Sequence, residues 1–405
     1  MADAPHQASR KSRLLVVIGV LLLPLLVVKY TNFLYKDVLG LFTDVVGNLV
    51  EWQLPLGISF ITFTLIAYVV DVYYGRFRLE RNVGMLAGLV LFFPHLIAGP
   101  ILRPSELLPQ LHAQRKAPGM GPLAVLGFTI FSVGLLKKLV FADPVSAAVE
   151  QVFLPQANNL TGADYLIGIY GFAVQIYCDF SGYTDMAIGA ALLLGIRLPT
   201  NFQQPYAAAS IVEFWTRWHI TLSTWLRDYL YIPLGGNRLG YWRQSINLFI
   251  TMGLGGLWHG ASWTFMFWGL AHACGISFTH GVRSFAPLRW IGELPRFVKI
   301  LFTFHFVCAT WILFRAPDMA TAWRVASGPF TASWRGADQS MIQGAFPVFL
   351  IMAFLLVHRW DNHENIRSFV SWVPKSALWP ILALVWMLAL TVSQGSSAKF
   401  IYFDF

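Results

Sequence analysis

The stretch Ile246-Asn247-Leu248-Phe249-Ile250-Thr251-Met252-Gly253-Leu254-Gly255-Gly256-Leu257-Trp258-His259-Gly260-Ala261-Ser262-Trp263 decides how the chain is read. It joins two apolar runs, Ile246–Leu257 and Ser262–Ile276. Both are shorter than the ~20 residues that cross a bilayer upright. Glycines crowd the junction between them, and one histidine stands in it. Irregular backbone is tolerated at membrane depth only where protein or water covers it. The pattern therefore predicts broken or re-entrant helices wrapped around an internal cavity.

The same form recurs along the chain. Further apolar runs lie at Leu14–Val28, Leu54–Val70, Val83–Ala98, Leu123–Phe141, Tyr165–Tyr177, Met186–Leu198, Phe297–Phe314, Ala345–Val357 and Trp379–Val392. No β-barrel alternation and no internal repeat stands out. One membrane domain over 14–405 is expected, behind a cytoplasmic tail over 1–13. Arg10, Lys11 and Arg13 precede the first run, which passes into Lys29-Tyr30-Thr31-Asn32 without a small-residue cleavage pattern. It reads as an uncleaved first span rather than a signal peptide.

Composition agrees. Of 405 residues, 56% are hydrophobic and only 12% charged. Soluble domains carry roughly 25% charged residues, so lipid must surround most of this chain. The 33 Phe, 16 Trp and 14 Tyr fit that setting, where Trp and Tyr favour the interfaces. The net charge of +9 suits positive-inside topology and anionic lipid. The basic residues are scattered between apolar runs, which argues against a nucleic-acid partner. Cys178, Cys274 and Cys308 are odd in number and lack metal-ligand spacing. They read as small hydrophobes, and no metal site is expected.

Ionisable residues at membrane depth are costly and are functional candidates by default. His259 is the first, since a desolvated neutral imidazole is suited to take a proton from a hydroxyl near pH 7. The second group lies in the polar stretch Phe214 to Arg238, with His219, Arg217, Arg227, Arg238 and Asn237. Ser210 to Tyr231 reads as one amphipathic helix. Arg217, Thr221, Thr224 and Asp228 then form a polar stripe, with His219 on the apolar face. Arginine forks suit phosphates. The third is Tyr177-Cys178-Asp179-Phe180-Ser181-Gly182-Tyr183-Thr184-Asp185. Asp179 and Asp185 are expected to hold a structural polar core by pairing with Arg217 or Arg227.

These stretches, with Leu54-Pro55-Leu56-Gly57-Ile58-Ser59-Phe60, Phe92-Phe93-Pro94-His95-Leu96-Ile97-Ala98-Gly99-Pro100, Asn201-Phe202, Pro205-Tyr206, His305 to Arg315 and the final Phe400-Ile401-Tyr402-Phe403-Asp404-Phe405, occur in an order that resembles the membrane-bound O-acyltransferase (MBOAT) family. Within it the likeness is to the branch of membrane subunits that serve bacterial alginate O-acetylation. The resemblance runs over roughly residues 27–405. It implies an all-α polytopic membrane protein of about ten to twelve transmembrane or re-entrant helices ringing a central funnel. The family histidine falls on His259 and a second histidine of this branch on His219. Family members carry about two or three further helices before the segment matching Lys29-Tyr30-Thr31-Asn32, where this chain has one span.

The resemblance also implies a reaction. Cytoplasmic acetyl-CoA is the donor substrate, and no bound cofactor is expected. Its phosphates would lie near Arg217, Arg227, Arg238 and Asn237. His259 acts as general base, and His219 polarises the thioester or stabilises the oxyanion. Acetyl would leave the bacterial inner membrane through a periplasmic or membrane-anchored acetyltransferase subunit acting on a polysaccharide. The end of the chain resembles the Phe-x-Tyr-x-x-Phe tail of an accessory peptide in D-alanylation, which makes Tyr402 a candidate acyl carrier; the bland alternative is an aromatic interface anchor. A D-alanyl or lipid acyl cargo, and a transporter built on broken helices, remain competing readings.

Overall fold

The computed structural model describes residues 4–43, 49–50, 55, 57–113, 121–334, 345–393 and 400–401. Among them all regular structure is helical. Arg10–Tyr30, Leu123–Phe153, Arg296–Arg315 and Lys375–Ser393 are long and apolar enough to cross a membrane. Ile58–Tyr73, Val83–His95 and Phe346–Trp360 are shorter apolar segments. Large apolar side chains cover the outside: Val83 is 77% exposed, Trp323 76% and Phe302 70%. Large apolar side chains exposed in such number are tolerated when lipid, not water, surrounds them. The chain is an all-α, multi-pass membrane protein.

The helix Gly162–Leu193 runs through the centre and is buried for most of its 32 residues. Thr161 and Asp164 start it with a reciprocal capping box, the Thr161 N–H donating to Asp164 Oδ2 at 2.8 Å. It packs face to face with Gly121–Leu136. A methyl group on Gly134 would run into the Gly182 carbonyl, so small residues let two backbones approach where the hydrophobic effect offers little.

This helix corrects one expectation. Tyr177 to Asp185 is not a polar break between two runs; it is helical throughout. Nor do its carboxylates pair with Arg217 or Arg227. Asp185 meets Lys137 at 2.7 Å and His363 at 2.8 Å. Lys137 also meets Asp361 at 2.7 Å, whose second oxygen accepts from the Tyr177 hydroxyl at 2.6 Å. Asp179 meets Lys138, which is shared with Asp143, each at 2.7 Å. Charges that would break a helix in lipid are neutralised by partners on neighbouring segments. The partners of Asp179 and Asp185 are lysines, not the expected arginines.

Candidate active site

His259 is the last residue of the helix Gly240–His259, and the chain turns back at once into Trp263–Ser284. The two helices touch through glycine. A methyl group on Gly256 would collide with the main-chain oxygen of Phe265, and one on Gly269 with that of Met252. This is the close approach that the glycine-rich sequence requires. His259 is 4% exposed and sits between aromatic rings, with centroids 4.9 Å from Trp258, 5.1 Å from Trp268 and 5.2 Å from Phe314.

The carbonyls at that helix end would otherwise be unsatisfied. They are capped from the first span. Lys29 Nζ donates to Trp258 O at 2.6 Å and to His259 O at 2.9 Å, and the Tyr30 hydroxyl donates to Leu257 O at 2.7 Å. A cation at a helix C-terminus also opposes the helix dipole.

His219 reaches the same aromatic cluster from a different element. The single amphipathic helix expected over Ser210 to Tyr231 does not form. Ile211–Trp215 and Ile220–Leu226 are separate short helices, and Arg227–Tyr231 is a wider, π-type turn. The break has a backbone cause. Gln203 N donates to Arg217 O and Ile220 N to Asn201 O, both at 2.9 Å, so the irregular segment Asn201 to Gln203 takes hydrogen bonds that a continuous helix would use. His219 itself is left-handed, with φ 42° and ψ 55°. A non-glycine residue held there marks a local conformation enforced by its surroundings. The predicted polar stripe is therefore absent, and Thr221 turns inward.

His219 is fully buried. Its ring stands edge-on to Phe180 at 4.7 Å and lies 6.4 Å from Trp258. The two histidines thus flank one indole. Around them several buried polar atoms have no hydrogen-bond partner among the described residues: His219 Nε2, Asn201 Nδ2, Trp258 Nε1 and Trp268 Nε1. Burying such atoms unpaired costs about 1–3 kcal/mol each, which a folded chain tolerates where a ligand uses them.

The arginines fall into two ion-pair groups. Arg217 and Arg296 share Glu213, each at 2.8 Å. Arg227 and Arg103 share Asp228, at 2.6 and 2.7 Å. Burial pulls the Asp228 carboxyl up, but the two guanidiniums prevail and hold it below the ordinary carboxylate range. Asn237 and Arg238 are exposed on the following turn, and the asparagine buried beside His219 is Asn201. Tyr402 lies outside the described residues. Its neighbours Phe400 and Ile401 are buried, Phe400 stacked on Tyr183 at 4.7 Å and Ile401 N donating to Asp179 Oδ2 at 2.8 Å.

The profile of the membrane-bound O-acyltransferase family, MBOAT, matches residues 85–316, a span that holds both histidines. The chain belongs to that family. It is accordingly an O-acyltransferase. It is 39% identical to the probable alginate O-acetylase AlgI of Azotobacter vinelandii over 363 residues, covering 86% of this chain and 69% of that one. Against the probable alginate O-acetylase AlgI of Pseudomonas putida the identity is 36%, covering 97% and 84%. The peptidoglycan O-acetyltransferase of Helicobacter pylori is 38% identical, covering 74% of this chain and 61% of its own.

Sequence reasoning passed over several residues around the two histidines of this MBOAT chain. Asn201 was visible only as part of a matched motif. His272 was not singled out; it is buried between Trp215, whose Nε1 donates to its Nδ1 at 3.2 Å, and Thr310, 3.1 Å from its Nε2. Lys29, 230 residues from His259, carried no local signal at all.

Proposed function

We propose that this O-acyltransferase moves acetyl from cytoplasmic acetyl-CoA across the bacterial inner membrane to a periplasmic or membrane-anchored acetyltransferase subunit, for O-acetylation of a polysaccharide. The names of the three relatives favour acetyl as cargo and a glycan as destination. The observation that carries the chemistry is the composition of the buried centre. Acyl transfer from a thioester needs a proton acceptor for the attacking hydroxyl and donors for the carbonyl oxygen. His219 and His259 supply imidazole, and the indole N–H groups of Trp258 and Trp268 are buried beside them. As the hydroxyl oxygen bonds to the carbonyl carbon, the C–S bond breaks; the hydroxyl proton passes through imidazole to the departing thiolate. A positioned base of this kind contributes roughly 10²–10⁴-fold, and a dry centre strengthens each donor.

Arg217, Arg227, Arg238 and Asn237 are the proposed contacts for the CoA phosphates. Arg227, on the exposed side of its ion pair with Asp228, is the best placed to exchange a carboxylate for a phosphate. Tyr402 is proposed to receive the acetyl group. The tail leading to it is held in the interior through Phe400 and Ile401, which favours a role there over a purely interfacial anchor.

The test is release of CoA and acetylation of the C-terminal peptide by the purified chain in proteoliposomes with acetyl-CoA. His259→Ala is expected to abolish both. Full acetyl transfer by that variant removes the catalytic reading. Tyr402→Phe is expected to lose the acetylated peptide by mass spectrometry, and unchanged transfer in that variant removes the carrier. Turnover of longer acyl-CoAs in place of acetyl-CoA overturns the choice of cargo.

A further inference from the structure

We propose that Asn201 is a positioning residue that locks His219 in one tautomer and leaves its Nε2 as a proton acceptor in the centre it shares with His259. This rests on the acyl-transfer reading. The argument begins at Ile101. Its main-chain N–H donates to Thr221 Oγ1 at 3.0 Å. The Thr221 hydroxyl donates in turn to Asn201 Oδ1 at 2.9 Å, and the Thr221 main-chain N–H reaches the same oxygen at 3.2 Å. A main-chain N–H can only donate, so the atom of Asn201 that it meets must be the oxygen and not the amide nitrogen. That fixes the orientation of the amide.

The same oxygen lies 3.1 Å from His219 Nδ1. An oxygen with no hydrogen cannot donate, so Nδ1 carries the proton. In the neutral ring the lone pair is then on Nε2. That atom is buried and has no partner among the described residues. All three donors converge on one amide oxygen, and rotating Asn201 by half a turn would set its NH2 against two N–H groups and a hydroxyl. The left-handed backbone of His219 is what brings Nδ1 to this oxygen. His219 in its resting form thus accepts a proton, where the sequence reading had it polarise the thioester or stabilise the oxyanion; the carbonyl oxygen is left to the indole N–H groups.

The test uses the full chain in lipid nanodiscs with acetyl-CoA as the probe. CoA release is followed as a function of pH, and the 15N spectrum of histidine-labelled protein is recorded without substrate. Asn201→Asp keeps an oxygen facing Nδ1–H and adds a charge. It is expected to retain turnover within about tenfold and to move the acidic limb of the pH profile upward, because a carboxylate stabilises the imidazolium. Asn201→Leu removes the acceptor. It is expected to lower kcat roughly 10²-fold with KM little changed, and to remove the Nδ1-protonated neutral signal assigned through the His219→Gln spectrum. Asn201→Asp as inactive as Asn201→Leu, while both proteins unfold at the wild-type temperature, overturns the proposal. So does a neutral His219 protonated on Nε2 in the wild-type spectrum. Should His219→Gln release CoA at the wild-type rate, the catalytic reading fails, while the spectrum still decides the tautomer.

Discussion

Lys29 Nζ lies 2.9 Å from the main-chain oxygen of His259, a contact between residues 230 positions apart. The first span therefore does more than anchor the chain. It closes the helix end that presents His259, and it fixes how deep that ring sits among Trp258, Trp268 and Phe314. Lys29→Met removes two donors and a cation from that end. A hydrogen bond from a charged group is worth about 1.5–3 kcal/mol. The variant is expected to fold and to release CoA roughly tenfold more slowly, since 1.4 kcal/mol corresponds to tenfold. Lys29→Arg should recover part of the rate. Wild-type turnover in Lys29→Met would show that the cap is dispensable.

Lys137 stands 2.7 Å from a carboxylate of Asp185 and one of Asp361. Lys137→Met leaves the buried Asp185 and the half-buried Asp361 without their cation. Breaking one side of a buried pair costs about 3–5 kcal/mol. The unfolding temperature of the detergent-solubilised protein is expected to fall steeply. Adding Asp361→Asn should restore part of it, because one uncompensated charge is removed and Asp185 keeps His363. A double variant no more stable than the single one would mean that the network is not coupled.

Gly256 tests the approach of the two helices that carry the centre. Any side chain there meets the main-chain oxygen of Phe265, and a backbone atom cannot step aside as a flexible side chain can. Gly256→Ala is expected to cost about 1–3 kcal/mol and to lower turnover by displacing His259. Gly253→Ala, whose added methyl group would stand 3.3 Å from the flexible end of Leu270, should be much milder. Equal effects at the two positions would contradict the packing described here.

The membrane fold and His259 were legible in the sequence because their signals are local. Apolar runs, missing charge and a histidine among glycines can each be read within a short window. The partners of Asp179 and Asp185 were not. Arg217 and Arg227 stand in the polar stretch Phe214 to Arg238 and were the expected partners, yet Lys137 and Lys138 follow an apolar helix that packs directly on Gly162–Leu193. The broken helix at His219 was missed for a related reason. Its periodicity is genuine, but the hydrogen bonds that would sustain it are taken by Asn201 and Gln203, and no periodic pattern records a competing backbone.

The tail offers the last prediction. Ile401 N donates to Asp179 Oδ2 at 2.8 Å, and the side chain of Ile401 is 8% exposed. Asp179 is in turn paired with Lys138, so one buried ion pair holds the backbone at Ile401. If that contact positions the tail, loosening it should expose residue 401 without unfolding the central helix. Cysteine placed there by Ile401→Cys, in a background where the exposed Cys274 is replaced by serine, reports this through maleimide labelling; Cys178 and Cys308 are buried. Labelling is expected to be slow with Asp179 present. With Asp179→Leu it should quicken roughly 10- to 100-fold, the equivalent of the 1.5–3 kcal/mol of a hydrogen bond to a charged group. Asp179→Asn alone keeps an amide oxygen for Ile401 N and leaves Lys138 paired with Asp143, so its labelling should stay near the slow rate. Fast labelling with Asp179 in place would show that the tail is not held by it.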